Sequence, residues 1–120
     1  MNNPVTYPYQ ALTAMQKYQA VCASTDELSC RLALWPDQTH LSNMIGITTS
    51  NATPGMNTEI CLFGILYDAA WDWIPFRPIF VGAGGYLTQT MPNTAVYQIA
   101  KALGPHTIFV SPSQFFLLNP

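Results

Sequence analysis

The sequence predicts an all-β fold, a small β-barrel or β-sandwich of about eight short strands with an extended N-terminal arm. Three observations carry that expectation. Across residues 59–110, apolar runs rich in Ile, Val, Phe, Tyr and Trp alternate with Pro and Gly every few residues, as in successive strands joined by tight turns. The first ten residues hold Pro4 and Pro8 and no charge, which disfavours a helix and favours extended chain. One strand–turn–strand unit also recurs: M-I-G-I-T leads through a turn to the strand around Ile60, and I-A-K-A-L leads through Gly104-Pro105 to T-I-F-V.

In chain order, residues 1–17 are the arm. Tyr7 and Tyr9 suit it to packing on a neighbour, because aromatic rings supply contact area at low entropic cost. The spacing of Leu12, Met15 and Gln16 predicts a short helix over 9–18, too short to be stable in isolation. The domain proper, 18–112, opens with a hairpin of strands over 18–23 and 28–35 around the polar turn 24–27. The two-residue period places Leu28, Cys30, Leu32 and Leu34 on one face. A polar loop over 36–43 contains His40.

A strand over 44–48 leads to S-N-A-T-P-G, where Pro54-Gly55 suits the central positions of a type II turn. The longest strand, 58–67, is interrupted by Gly64, the mark of a bulge or a close backbone approach. Asp68-Ala69-Ala70 turns the chain into W-D-W-I-P-F-R-P. Strands over 79–81 and 86–90 flank a tight turn at 82–85, and strands over 95–103 and 107–110 flank Gly104-Pro105. Residues 113–120 form an apolar tail, a final edge strand or a segment docked on a neighbour. Exposed, its Phe115-Phe116-Leu117-Leu118 run would be an aggregation hazard.

With 120 residues the chain predicts one domain, which buries roughly 65% of its unfolded surface. Only 8% of the residues are charged, against a usual ~25%. So uncharged a surface predicts coverage by partners. The four cations Lys17, Arg31, Arg77 and Lys101 are dispersed and cannot neutralise a phosphate track, which argues against nucleic acid. The N-terminus lacks a basic start and an apolar core, so no signal peptide is expected. No apolar run is long enough to predict a membrane span. Cys22, Cys30 and Cys61 show no metal-ligand spacing and read as small apolar core residues in a reducing compartment. A disulfide or a zinc site is the alternative.

No catalytic signature is present, and the expectation is a protein that is not an enzyme, with no cofactor, metal or small-molecule substrate. Asp68 and Asp72 are the one spaced carboxylate pair near aromatics and read as turn or solvated aspartates. A carbohydrate-binding module or small glycosidase would instead use them with Trp71, Trp73 and Tyr86 as sugar platforms. Gly82-Ala83-Gly84-Gly85 lacks the spacing and the following helix of a phosphate loop. His40 and His106 stand alone. If their segment is extended, Trp71 and Trp73 share one face, either as core or as interface anchors. The candidate interface comprises Tyr7, Tyr9, Trp71, Trp73, Phe76, Phe115 and Phe116.

W-D-W-I-P-F-R-P-I-F-V-G-A-G-G-Y-L-T-Q-T-M-P, followed by A-L-G-P-H-T-I-F-V-S-P, resembles a module of tailed-bacteriophage structural proteins. In that pattern a W-x-W-x-P segment leads to a strand, a G-G-x-L-T-Q-T-x-P turn and a strand ending in I-F-V-x-P. It occurs in head decoration (cement) proteins and in modules of head and tail fibres. M-I-G-I-T-T-S-N-A-T-P-G-M-N-T-E-I-C-L-F-G-I-L is similar to the family's preceding segment, so the resemblance spans roughly residues 18–112. Two positions depart from it. Phe76 stands where the pattern has a glycine turn residue, and Ile99-Ala100-Lys101 replaces a glycine-containing stretch. The resemblance implies a virion protein, assembled in the host cytoplasm, that clamps major capsid protein subunits from outside as a homotrimer. A head-fibre or tail-fibre base module is the alternative, and the family offers no catalytic residue to transfer.

Overall fold

The computed structural model describes residues 4–24, 28–34, 37–92, 95–112 and 115–117. Among these the elements are β1 (Val5–Ala11), β2 (Ala20–Ala23), β3 (Ser29–Leu32), α1 (Gln38–Ser42), β4 (Met44–Thr48), β5 (Asn57–Tyr67), β6 (Pro78–Val81), β7 (Leu87–Thr88), β8 (Ala95–Ala102), β9 (Thr107–Val110) and β10 (Phe115–Leu117). Strands β1, β3, β2, β4 and β5 pair in that order, and β1 pairs back onto β5, closing a five-stranded barrel. Beyond β5 the sheet continues through β9, β8, β6 and β7, with β10 alongside β8. The fold is the mostly-β, barrel-containing class that the sequence predicts.

Strand β5 is what joins the two halves. Its 11 residues span roughly 35 Å at the usual rise per residue, close to the 41 Å length of the molecule. The first half of β5 pairs with β1 and β4, and the second half, Gly64 to Tyr67, pairs with β9. The handover falls at Gly64, whose φ is +118°. A Cβ there would lie 2.9 Å from Pro4 Cα. The close backbone approach expected of this glycine is therefore real, with a bulge beside it where Val5 opposes Phe63 and Thr6 opposes Cys61.

Shared strands bury both faces. Val21, Ile60, Cys30, Ala11, Met15 and Ala52 fill the barrel. Ala20, Cys22, Ile47 and Cys61 point the opposite way, into a larger core with Ile79, Val81, Tyr97, Ile99, Ile108 and Val110. Successive residues of one strand thus feed different cores, as the two-residue period requires. This is why β2 reads as an unbroken apolar run, A-V-C-A, with no alternation.

The predicted hairpin is present as β2 and β3, antiparallel with Val21 opposite Leu32; residues 25–27 of its turn, and Trp35, lie outside the described residues. Its face is shorter than predicted. Cys30 and Leu32 pack on the barrel core, whereas Leu28 and Leu34 are exposed. The Ala33 N–H carries the β2–β3 register one residue further by donating to Ala20 O at 3.0 Å, and Ala33 enters the larger core. Both repeated units are hairpins, β4 with β5 and β8 with β9. The Pro54-Gly55 turn closes as predicted, with Met56 N–H donating to Thr53 O at 3.1 Å and Gly55 at φ +92°.

Two expectations are corrected. The helix over 9–18 is absent: β1 runs to Ala11 and bends follow. The N–H groups of Gln10, Ala11 and Leu12 donate to Leu28 O, Met56 O and Cys30 O, so partners distant in the sequence satisfy groups that a marginal helix would have paired internally. Conversely, the predicted loop over 36–43 contains α1. Asp37 caps it by accepting from the His40 N–H at 3.1 Å, and Leu41 is fully buried in the larger core. The N-terminal segment packs on its own chain, as β1.

Candidate protein-interaction surface

The loop between β5 and β6 carries most of the sequence-predicted residues. Asp68 begins it: its carboxylate accepts from the Ala70 N–H at 2.8 Å and its carbonyl accepts from the Trp71 N–H at 3.1 Å. The Ala70 N–H, then the Tyr18 hydroxyl, hold the Asp68 carboxyl below its ordinary range. The loop is tied to the β8–β9 turn, because Asp68 N–H donates to His106 O and Trp73 N–H donates to Pro105 O, each at 2.9 Å. The His106 ring Nδ1 meets Trp71 O. Asp68 is thus a turn-forming residue, as read from the sequence, and His106 stands in the β8–β9 turn that it meets. Asp72 is exposed.

Trp71 and Trp73 do share a face, with ring centroids 6.1 Å apart. Both are partly buried and pack against the larger core, so the pair forms a lid over that core. Tyr18 extends the lid, its ring 4.5 Å from Trp71. Tyr18 adopts φ +66°, a left-handed conformation that costs a side chain roughly 1–2 kcal/mol. Its tilted ring contact with Trp71, at an interplanar angle of 51°, and the Lys17 ammonium 4.8 Å from its ring centroid offset that cost within the chain. Tyr86, the third aromatic of a sugar-binding reading, is exposed, and its hydroxyl is 3.2 Å from Gln16 Oε1. Among the described residues no ring contact joins it to the tryptophans.

Beyond Trp73 the chain forms an exposed knuckle, Ile74-Pro75-Phe76-Arg77. Two clamps hold it. Gln89 reads the peptide of Ile74 with both ends of its amide: Ile74 N–H donates to Oε1 and Nε2 donates to Ile74 O, each at 2.8 Å. On the other side, Phe76 N–H donates to Ala102 O at 2.7 Å and Ala102 N–H donates to Arg77 O at 3.0 Å. Phe76 is 73% exposed at φ +69°. The position thus has a left-handed backbone conformation that favours glycine. Unlike Tyr18, Phe76 has no aromatic or cationic contact among the described residues. Sequence reasoning missed Gln89, although the L-T-Q-T string contained it.

Next to the knuckle, Gly82, Ala83, Tyr86, Thr88, Thr90, Met91 and Pro92 line a mostly apolar groove of about 250 Å³. Gly84 and Gly85 shape its turn at φ +67° and +80°, and a Cβ on Gly85 would lie 3.0 Å from Ala20 O.

A second apolar surface lies on the outer face of β5. Phe63, Ile65 and Tyr67 alternate outward, Tyr67 being 65% exposed. Val5 stands opposite Phe63 and Phe109 opposite Ile65, and Phe63 and Phe109 meet edge to face at 5.0 Å. Sequence reasoning missed this face as well, although its two-residue period was visible. Of the predicted arm aromatics, Tyr7 is half-exposed, Tyr9 packs on the barrel core, and their rings are 5.6 Å apart. Phe115 and Phe116 lie in β10, opposite Tyr97 and Val96; their side chains lie outside the described residues.

Cys22, Cys30 and Cys61 are free and fully buried. Burial pushes the thiols of Cys22 and Cys30 up to about 11 and raises that of Cys61. Cys22 and Cys30 face different cores. Among the described residues no three His, Cys, Asp or Glu side chains form a group that could hold a metal ion, and no helix is long and apolar enough to cross a membrane.

No family model matches the chain, and no curated protein matches it. On its geometry it is a small, mostly-β domain built on a closed five-stranded barrel, with the exposed apolar surfaces of a structural or protein-interaction module.

Proposed function

We propose that the chain is a virion structural protein of a tailed bacteriophage, a capsid decoration (cement) protein. It binds the outer surface of the shell through the major capsid protein and stabilises it where capsomers meet, as a homotrimer. The observation that carries this reading is the outer face of β5, where Val5, Phe63, Ile65 and Tyr67 stand exposed together on a chain with only 8% charged residues. Such a face gains from burial in proportion to its apolar area and little from ion pairs. The resemblance of residues 71–92 to the phage module supplies the identity of the partner.

The test is sedimentation of the purified chain with undecorated shells. Saturable co-sedimentation at a fixed ratio to the shell subunit, retained at high salt and lost in Phe63→Asp and Tyr67→Asp, is the expected result. A chain that ignores shells, but whose tryptophan fluorescence responds to polysaccharide, would replace this reading with the carbohydrate-binding one.

A further inference from the structure

The outer face that the second half of β5 makes with β9 and β8 carries a single charge. Ile65 stands opposite Phe109, Phe109 opposite Lys101 and Lys101 opposite Pro78, and opposed residues of neighbouring strands share a face. In the next row Tyr67 stands opposite Thr107, and the Leu103 N–H donates to Thr107 O at 2.9 Å. We propose that this face takes a protein surface bearing a carboxylate. Apolar side chains of the partner cover Phe63, Ile65, Tyr67 and Phe109, and an Asp or Glu of the partner meets the Lys101 ammonium. The proposal rests on the reading of the β5 face as the docking surface and adds what the partner must present there.

Composition isolates the lysine. From Phe63 to Tyr67, and through β9 and β8, Lys101 is the only charged residue. It is exposed, and among the described residues no carboxylate pairs with it. Asp68, which follows Tyr67 in the chain, is engaged elsewhere: it accepts from the Ala70 N–H and lies 3.9 Å from Lys17 Nζ.

Geometry places that cation on the border of the apolar ground. Strands of a sheet stand about 4.8 Å apart, so Lys101 lies roughly 10 Å from Ile65, across Phe109. A partner that covers the aromatic rows strips water from the ammonium beside them, and an ammonium so placed needs an acceptor to offset its lost hydration. A carboxylate supplies one. The apolar area then provides affinity, and the ion pair decides which surface is accepted. Phe63, Ile65, Tyr67 and Leu103 are all exposed and offer on the order of 350 Å², within the size at which a patch on a monomer is often functional.

Charge also rules on the other occupants. The same face of a second copy brings another Lys101 and no acid, so packing the two faces together leaves both ammonium groups unmatched. One cation set in apolar ground cannot follow a phosphate track either.

Fluorescence titration with anilinonaphthalene sulfonate and its uncharged parent, phenylnaphthylamine, tests the face on the full chain alone. The probes share their rings and differ by the anionic group, which stands in for the carboxylate. The sulfonate should bind about fivefold more tightly than the parent. Lys101→Gln should abolish that difference without changing affinity for the parent, and Phe63→Ser should weaken both. Arg31→Gln, which removes a cation on β3, should change neither. Probes that bind alike, or a preference that survives Lys101→Gln, overturn the proposal. With shells, Lys101→Glu should weaken co-sedimentation about tenfold more than Lys101→Gln does. Shells that hold both variants as tightly as the unaltered chain overturn the proposal and leave the cement reading standing. Shells that ignore the unaltered chain remove the cement reading, and the probe pair still decides the chemistry of the face. Sedimentation with phosphatidylserine vesicles that depends on Lys101 would make a membrane the occupant and overturn the proposal as well.

Discussion

Gly46→Ala is the substitution most informative about how the two cores are held together. Gly46 lies in β4, opposite Val21 of β2. A Cβ there would sit 2.0 Å from the Cys61 carbonyl oxygen, 2.9 Å from its carbon and 3.2 Å from Ile60 Cγ2. An ordinary carbon contact is ~3.5 Å, and the obstacle is backbone, which cannot rotate away. β4 must therefore retreat from β5 by roughly 1–1.5 Å. That retreat opens the pairs of Ile47 with Cys61 and Thr48 with Ile60, through which β4 meets β5. Each ladder bond contributes about 1 kcal/mol, and each buried group left unpaired costs about 1–3 kcal/mol. The loss is thus about 3–5 kcal/mol, a large share of the 5–15 kcal/mol typical of a domain.

Gly55→Ala is the matched control. Nothing lies within 4 Å of its Cβ position, but its φ is +92°. It should cost only about 1–2 kcal/mol, from backbone conformation alone. Urea unfolding followed by tryptophan fluorescence measures both. If Gly46→Ala costs no more than Gly55→Ala, close packing of β4 on Cys61 is not what joins the two cores.

Three further outcomes follow from the geometry. Gln89→Ala removes both hydrogen bonds to Ile74 and should cost about 1–2 kcal/mol, seen as faster proteolysis within 74–77. Gln89→Glu should restore part of the loss, since it accepts from the Ile74 N–H but cannot donate. Thr48→Val keeps the shape, yet strands the Gln16 carbonyl and the Gln19 N–H, which meet Thr48 Oγ1 at 2.6 and 2.9 Å. About 2–4 kcal/mol should be lost in denaturant titration. For the cysteines, unfolded thiols ionise near 9 whereas burial holds Cys22 and Cys30 up to about 11. Above pH 9 the unfolded chain releases protons that the folded chain retains, so stability falls as pH rises from 9 to 11. A Cys22→Ala, Cys30→Ala variant should flatten that slope in thermal melts.

What could be read from the sequence was what local chemistry decides. Turns at Pro54-Gly55 and Gly104-Pro105 punctuate the chain, and their residues can adopt those conformations whatever lies elsewhere. Strands between such turns were placed well: 44–48 for β4, 58–67 for β5 and 95–103 for β8. The helix over 9–18 failed because helical spacing in a short segment is weak when a sheet edge stands ready to pair with it. The α1 helix was missed because its signal is one capping aspartate in a polar stretch.

The candidate surface was half legible for the same reason. Trp71, Trp73 and Phe76 attract notice as residue types, but type does not say which ring faces the core. Only the fold turned the tryptophans inward against Tyr18 and left Phe76 outside. Gln89 looks like an ordinary polar turn residue until Ile74, 15 positions earlier, comes within 2.8 Å of its amide.

By itself, then, the sequence determined the class, the strands, the turns and a surface nearly without charge, because composition and nearest-neighbour sterics act along the chain. The tertiary structure alone decided that β1 closes a barrel on β5, that β5 serves two sheets, and that Val21 and Cys22 belong to different cores. Those outcomes depend on contacts between distant segments, where burial of apolar area over the whole molecule outweighs any local preference.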